Sequence, residues 1–391
     1  MMDKRQRSTS DILVVVFPLT LVIFFIFLAR VIFSPLLVPM QAELRLSHTS
    51  AGSLFLCISM GYAPTMLCSG FVSSRITHYG TILLSATICG LSLLVISFNS
   101  KLIGLQLGMF TLGVGAGLYF PSGMATLTHL VKKEHWGKAI AFHEAGPNLG
   151  FVLAPLVVEL GLNFYSWRGI VISLGVSCLV VATVFALFGL EGRFRSEPPN
   201  FTNVKLICCR PSFWRIAIML SLCFAANMGI YSILPIYLIS ERGMDQTLVN
   251  TIIGFSRLSG FFTLFGAGWL ADRFGAELVM RYIYIASGLS TVFLGLASNL
   301  WLIFTVFLQP IVTTSFFPVS VSALANTASS RTRDIAISLM IPFVYLFGAG
   351  IAPIGMSAMG QYYKFEIGLI LVGTFLLFSL LPLKFLHTRF S

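Results

Sequence analysis

Ile12–Met40 reads ILVVVFPLTLVIFFIFLARVIFSPLLVPM, an apolar run broken by one charge, Arg30. A helix crossing the ~30 Å hydrocarbon core of a bilayer needs about 20 mainly apolar residues. This run exceeds that length. It is also too long for the apolar core of a secretory signal, although Lys4, Arg5 and Arg7 precede it, and no small-residue cleavage site separates it from the next apolar stretch. It reads as a first transmembrane helix. The whole chain has the same character, with mean hydropathy +0.90, 57% apolar residues and 10% charged ones, against about 25% charged in a soluble domain. Such a chain cannot cover a water-facing surface with polar groups, so its solvent is lipid and its backbone must satisfy itself within helices.

Working outward from that run, apolar stretches at 12–40, 49–73, 79–98, 102–130, 138–162, 168–190, 213–239, 248–271, 277–297, 301–327, 335–359 and 366–386 predict twelve spans. Most breaks are short polar turns. The exception, Glu191–Arg215, carries five basic residues and Pro198-Pro199 and divides the chain into residues 1–190, a linker at 191–212, and residues 213–391. The fold class is therefore an all-α membrane protein with two six-helix halves. Lys and Arg collect on one side of this arrangement, 18 against 5 on the other, with Arg30 and Arg257 inside spans. Excess basic charge marks the cytoplasmic face, which puts both termini in the cytoplasm. It also explains the net charge of +11 as a topology signal, so nucleic acid is not expected as a partner. The seven cysteines lack metal-ligand spacing; neither metal nor cofactor is expected.

Two six-helix halves joined by a basic loop suggest a duplicated transporter, and a local motif adds to this. Between spans 8 and 9 the chain reads Gly268-Trp-Leu-Ala-Asp272-Arg273-Phe-Gly275, with a weakened copy, Gly70-Phe-Val-Ser-Ser74-Arg75, in the first half. These segments resemble the G-x-x-x-D-R-x-G loop of the major facilitator superfamily. The resemblance implies a gate in which Asp272 and Arg273 cap a neighbouring helix and hold the cytoplasmic side shut. Asp334, at the start of span 11, reads as a further gate or cap residue, since acids favour helix N-termini. The chain departs from the family in lacking an Arg in span 4. Its span 5, Gly146-Pro147-Asn-Leu-Gly150, is only loosely similar to the signature of drug antiporters.

Ionisable residues within spans are costly, and so become functional candidates. Arg30 lies about 18 residues into span 1 and Arg257 about 9 residues into span 8 from the opposite side, which at ~1.5 Å per residue is a similar depth. An arginine keeps its charge at any accessible pH, and none of the 14 acids lies in a span at that level. An anionic substrate held by the planar guanidinium forks would complete the pair. Arg257 also resembles the span 8 Arg of superfamily branches that carry organic anions, including oxalate and monocarboxylate transporters, and Arg30 is similar to the span 1 Arg of organophosphate and organic-anion carriers. The alternative is structural, with each Arg bonding helix carbonyls or packing on an aromatic face such as Phe33 or Phe255.

Glu144 and His143 in span 5 are the proton-coupling candidates. Neighbouring helix residues point about 100° apart, so one of the two should face the centre. A Glu tied to gate residues is the alternative. Spans 1, 4, 7 and 10 face the centre in the superfamily, which makes Tyr119, Asn227, Tyr231 and Gln309, with Ser34 and Thr313-Thr314-Ser315, candidate lining. Packing explains each of them equally well.

The sequence therefore predicts a monomeric secondary transporter of a small carboxylate- or phosphate-bearing solute in the inner membrane of a bacterium, coupled to protons or another cation. The alternative is a proton-antiporting exporter of drugs or metabolites. A membrane enzyme is disfavoured, because no nucleophile elbow, phosphate loop or metal cluster appears.

Overall fold

The computed structural model describes residues 9–189, 192–196, 209, 211–316 and 339–379, and every secondary-structure element among them is helical. The helices are α1 (Thr9–Val31), α2 (Phe33–Leu44), α3 (His48–Phe98), α4 (Leu102–Leu130), α5 (Trp136–Leu162) and α6 (Trp167–Phe188). After the linker come α7 (Pro211–Phe224), α8 (Ile230–Ile236), α9 (Gln246–Ser256), α10 (Ser259–Phe274), α11 (Ala276–Leu296), α12 (Asn299–Thr314), α13 (Ala352–Tyr362) and α14 (Phe365–Phe378). Among the described residues, 8 helices are long and apolar enough to cross a membrane. Outward-facing Leu91, Val95, Leu107, Val180, Leu289 and Phe304 are each at least half exposed, as expected where the solvent is lipid.

Several elements join into longer rods. Ile32 donates to Leu28 and accepts from Leu36 across the α1–α2 junction, so the opening run forms one long helix. A π-helical turn at Ala225–Gly229 joins α7 to α8, and another at Tyr345–Ile351 leads into α13. At 51 residues, α3 would reach ~75 Å if straight, more than twice the hydrocarbon core. It breaks at Thr77, where φ is 73° and ψ 164°.

Thr77 stands in the first gate-like loop at the position that Gly275 holds in the second, and Gly275 has φ 88° and ψ 134°. Both loops need a backbone geometry that glycine accepts readily and a β-branched residue resists. The linker supplies a support at Thr77. Tyr79 N–H donates to the Gly192 carbonyl (2.8 Å) and His78 N–H to the Phe194 carbonyl (3.1 Å). Ser196 Oγ bonds Ser73 Oγ (2.7 Å) and the Gly70 carbonyl (2.8 Å). Phe194 packs its ring on His78 and His129. The segment 192–196 thus caps the first turn after the break and ties it to the end of α4.

At the other end of the bundle, one device occurs twice with its charges exchanged. Glu43, ending α2, accepts from Trp167 Nε1 (2.6 Å) and Arg168 Nε (3.0 Å) at the start of α6, and Arg168 also donates to the Ser97 carbonyl that ends α3 (2.6 Å). In the C-terminal set, Arg242 follows the Tyr237–Glu241 turn, pairs with Glu366 at the start of α14 (3.4 Å) and donates to the Gly295 carbonyl that ends α11 (2.5 Å).

Glycines set the closest helix approach. A Cβ at Gly113 of α4 would sit on the Ile58 carbonyl oxygen, one at Gly61 of α3 on that of Phe110, and one at Gly117 would lie 2.5 Å from that of Tyr62. The Gly113-Val-Gly115-Ala-Gly117 run therefore packs α4 backbone-to-backbone against α3. Gly113→Ala and Gly61→Ala should each destabilise the protein by about 1–3 kcal/mol or more through overpacking, seen as a lower melting temperature in detergent. Gly137→Ala, where the added methyl meets nothing within 4 Å, should not lower it.

Candidate functional site

A cavity of about 270 Å³ lies between the N-terminal helices α1, α4 and α5 and the C-terminal rods built on α7, α12 and the segment from Met340 to Tyr345. Its inner end is a layer formed by Arg30, Tyr62 and Tyr345. Beyond that layer the two sets of helices are joined. Ser34 Oγ donates to the Tyr231 carbonyl (2.5 Å), Asn250 Nδ2 to Glu159 (2.9 Å), and Thr49 N–H to Gln361 (3.0 Å). Gly52 and Gly350 pack directly on the side chains of Ser357 and Ser59, which a Cβ at either glycine would meet at 2.6 and 2.7 Å. The cavity extends from the layer in the opposite direction, past Ala116, toward Phe120 and Glu144.

Arg30 is 5% exposed, and its guanidinium lies over three aromatic faces, Tyr62 at 4.7 Å, Phe27 at 5.1 Å and Tyr345 at 5.3 Å. Its Nε has no hydrogen-bond partner among the described residues. No ion pair joins Arg30 or Arg257 to a described carboxylate. A cation over an aromatic face gains about 0.5–2 kcal/mol, while burying an ion costs several. Three such faces together offset a cost of that order, at about 1.5–6 kcal/mol, and the Tyr62 and Tyr345 side chains also lie within hydrogen-bonding reach of the guanidinium.

Arg257 is placed differently from the sequence expectation of a matched pair. It is equally buried, but it is not part of the cavity wall. Its two terminal nitrogens donate to Asn227 Oδ1 and to the Asn227 carbonyl, both at 3.2 Å, and its guanidinium lies over Tyr231 and Phe151. Both acceptors belong to the π-helical turn, where the Asn227 carbonyl also takes the Ile230 N–H. The Asn227 carbonyl takes Arg257, and the neighbouring Ala226 carbonyl takes Gln309 Nε2 at 2.5 Å. Phe27 packs edge-on to Phe151, which packs edge-on to Tyr231, so an aromatic chain separates the two arginines. Phe33 and Phe255, the faces expected from sequence, take neither.

Glu144 lines the cavity and His143 is fully buried behind it, as the 100° offset requires. His143 Nδ1 lies 3.2 Å from Glu144, and its Nε2 lies 3.0 Å from the Tyr119 hydroxyl, which also bonds the Leu19 carbonyl at 2.7 Å. Of the expected lining residues, Asn227, Thr313 and Thr314 face the cavity. Tyr119, Tyr231 and Gln309 do not. They are nearly inaccessible and bonded to backbone carbonyls, so they frame the wall. Tyr62 and Tyr345 are site residues that sequence reasoning missed; nothing separates them from the other aromatics until the fold puts them on Arg30.

The family model described as Major Facilitator Superfamily matches residues 19–280 of this geometry's chain. The chain belongs to the Major Facilitator Superfamily. Among curated superfamily relatives, a nitrite extrusion protein of Bacillus subtilis (strain 168) is 23% identical over 72% of this chain and 66% of its own length. A probable sulfoacetate transporter of Cupriavidus necator is 21% identical over 92% of this chain and 83% of its own. A probable hexose phosphate transport protein of Chlamydia trachomatis is 21% identical over 92% and 88%. Among solved structures, a bacterial homologue of the human lysosomal transporter Spinster superposes with TM-score 0.82, covering 98% of this chain and 100% of that one at 17% identity. The protein is an integral membrane protein of several spans.

The superfamily's gate loop is only partly recognisable in the contacts. Gly275 adopts its positive φ between α10 and α11. Arg273 lies over Trp269 and Phe274 of its own helix, not on a neighbouring helix end as expected. In the first copy, the Gly70 carbonyl accepts from Ser73 and Ser196, and Arg75 is exposed. In that copy the backbone at the loop is capped by the segment 192–196. Asp334, and the side-chain positions at Gly268 and Asp272, lie outside the described residues.

Tyr119→Phe removes a hydroxyl that holds both His143 and a backbone carbonyl. It leaves a buried imidazole nitrogen unpaired, which should cost about 1–3 kcal/mol. The measurement is a melting temperature below that of the parent protein in the same detergent.

Proposed function

We propose that this protein is a secondary active transporter of a small organic anion that works by alternating access. The observation that carries the reading is Arg30, a permanent cation that lines the closed end of the central cavity and pairs with no described carboxylate. Binding there brings a carboxylate, sulfonate or phosphate to a preformed planar donor. The names of the relatives fit this charge class, since nitrite, sulfoacetate and hexose phosphate are all anions. An exporter of cationic drugs fits poorly with a guanidinium at the inner end of the site.

The reading includes twelve spans in two six-helix halves, residues 1–190 and 213–391, with both termini cytoplasmic. The matched backbone at Thr77 and Gly275 and the charge-exchanged pair of devices at Glu43–Arg168 and Arg242–Glu366 support the duplication. On the orientation set by Lys and Arg, the junction beyond Arg30 faces outward and the cavity opens inward. Opening of the site to the outer side then requires parting Ser34 from Tyr231 and Asn250 from Glu159 while the cytoplasmic ends close. Glu144 is the coupling group. Among the described residues it is the carboxylate that lines the cavity between the cytoplasmic opening and Arg30. His143 and Tyr119 hold it in place.

Uptake by proteoliposomes under an inward proton gradient tests this. Arg30→Ala should lower organic-anion uptake roughly 10- to 100-fold, the loss of one charge-assisted bond pair of ~1.5–3 kcal/mol, while the protein stays folded. Undiminished uptake would remove Arg30 from the site. Arg257→Ala should act mainly on stability, because its bonds are internal. Glu144→Gln should keep solute exchange and lose gradient-driven accumulation; unchanged accumulation excludes it from coupling.

A further inference from the structure

Which anions suit the cavity depends on what its walls can satisfy. Several polar groups on the wall are already engaged. Asn227 Oδ1 receives Arg257 and its Nδ2 donates to Thr314 Oγ1 (3.3 Å). Thr313 Oγ1 donates to the Gln309 carbonyl (3.0 Å), and Asn148 Nδ2 to the Glu144 carbonyl (2.9 Å). Arg30 is thus the one wall cation among the described residues, and Arg257, the second buried guanidinium, is held behind Asn227. Apart from these groups, Glu144 and the hydroxyls of Tyr62 and Tyr345, the wall formed by the described residues is apolar, with aromatic faces from Phe27, Phe120, Phe151, Phe224, Tyr62 and Tyr345.

Three consequences follow from these facts. A solute with two negative charges would have one cation to meet them, with the Glu144 carboxylate further along the same wall. A hydroxyl-rich solute would place its hydroxyls against apolar side chains, at about 1–3 kcal/mol for each one left unpaired. A bare oxyanion of a few atoms would fill little of a cavity of about 270 Å³, roughly nine times the ~30 Å³ share of one water, and would leave the aromatic surface against water. An aromatic or branched-alkyl body carrying one anionic head meets none of these penalties. Its head reaches Arg30 and its body covers the rings, gaining ~25 cal/mol for each Å² of apolar surface removed from water.

We infer that the cavity selects amphipathic monoanions, one carboxylate or sulfonate on an aromatic or branched-alkyl body, over small oxyanions, dianions and hydroxylated phosphate esters. This rests on the anion-transport reading and narrows it. The test is binding to the purified full-length protein in detergent, followed by thermal shift and by isothermal titration. The probes are benzoate, phenylacetate and isovalerate against nitrate, oxalate and glucose 6-phosphate, with tetraphenylphosphonium as an apolar cation. The expected result is at least tenfold tighter binding of one of the first three than of any of the second three. That preference should vanish in Arg30→Gln, with wild-type melting temperature confirming that the variant is folded. Equal or tighter binding of nitrate, oxalate or glucose 6-phosphate overturns this inference and leaves the anion reading standing. Binding of the phosphonium without any of the anions overturns both. Failure of all three amphipathic monoanions to bind also overturns the inference.

Discussion

A guanidinium keeps its proton in any environment a protein offers, so a buried arginine must be met by dipoles, ring faces or an anion. This chain places two such groups in its apolar interior, and much of the central architecture can be read as two answers to that requirement. Arg257 is answered from within. Asn227 presents both its side-chain oxygen and its backbone carbonyl, and Tyr231 and Phe151 add their ring faces. Arg30 has three ring faces and an unpaired Nε. The same side chain is closed in one place and open in the other, and that difference gives the cavity a charged end.

The π-helical turns lie beside both arginines. A helix carbonyl has a second lone pair and can accept from a side chain while it stays in the ladder. In the turn at Ala225–Gly229 the Ala226 carbonyl accepts from Gln309, and the Asn227 carbonyl accepts from Arg257 as well as from Ile230 N–H. The turn at Tyr345–Ile351 begins with the tyrosine that faces Arg30. Glycine lets Gly348 of that second turn approach the backbone of Ala225 in the first. The two irregular segments therefore pack on each other beside the cavity.

The membrane class and the principal charged residues were legible in the sequence because they depend on composition. An apolar run such as Ile12–Met40 has few alternatives, and Arg30, Arg257 and Glu144 are conspicuous within such runs. The offset between adjacent helix positions also anticipated that His143 and Glu144 would part, with one facing the centre. What could not be read was partnership. Tyr62 and Tyr345 come from distant parts of the chain, and one of them sits in a π-helical turn that no periodicity announces. Depth along a span placed Arg257 level with Arg30, but depth says nothing of rotation about the helix axis or of a neighbour such as Asn227 in the way. The gate motif names residue types, while the capping at Thr77 is done by backbone carbonyls of Gly192 and Phe194, which carry no side-chain signature.

That last contact bears on where one half of this protein ends. The first backbone donors after the break in α3 are satisfied by residues beyond α6, and Thr77 holds a geometry suited to glycine beside them. A fragment stopping at Phe188 would contain every helix of the N-terminal set and still leave the His78 and Tyr79 amides without acceptors. During synthesis the same accounting applies in time, since helices α1–α6 must wait for Gly192–Ser196 to emerge before this corner can be completed. The segment Gly192–Ser196 is in this sense packed with the N-terminal helices as well as being the path to the C-terminal ones.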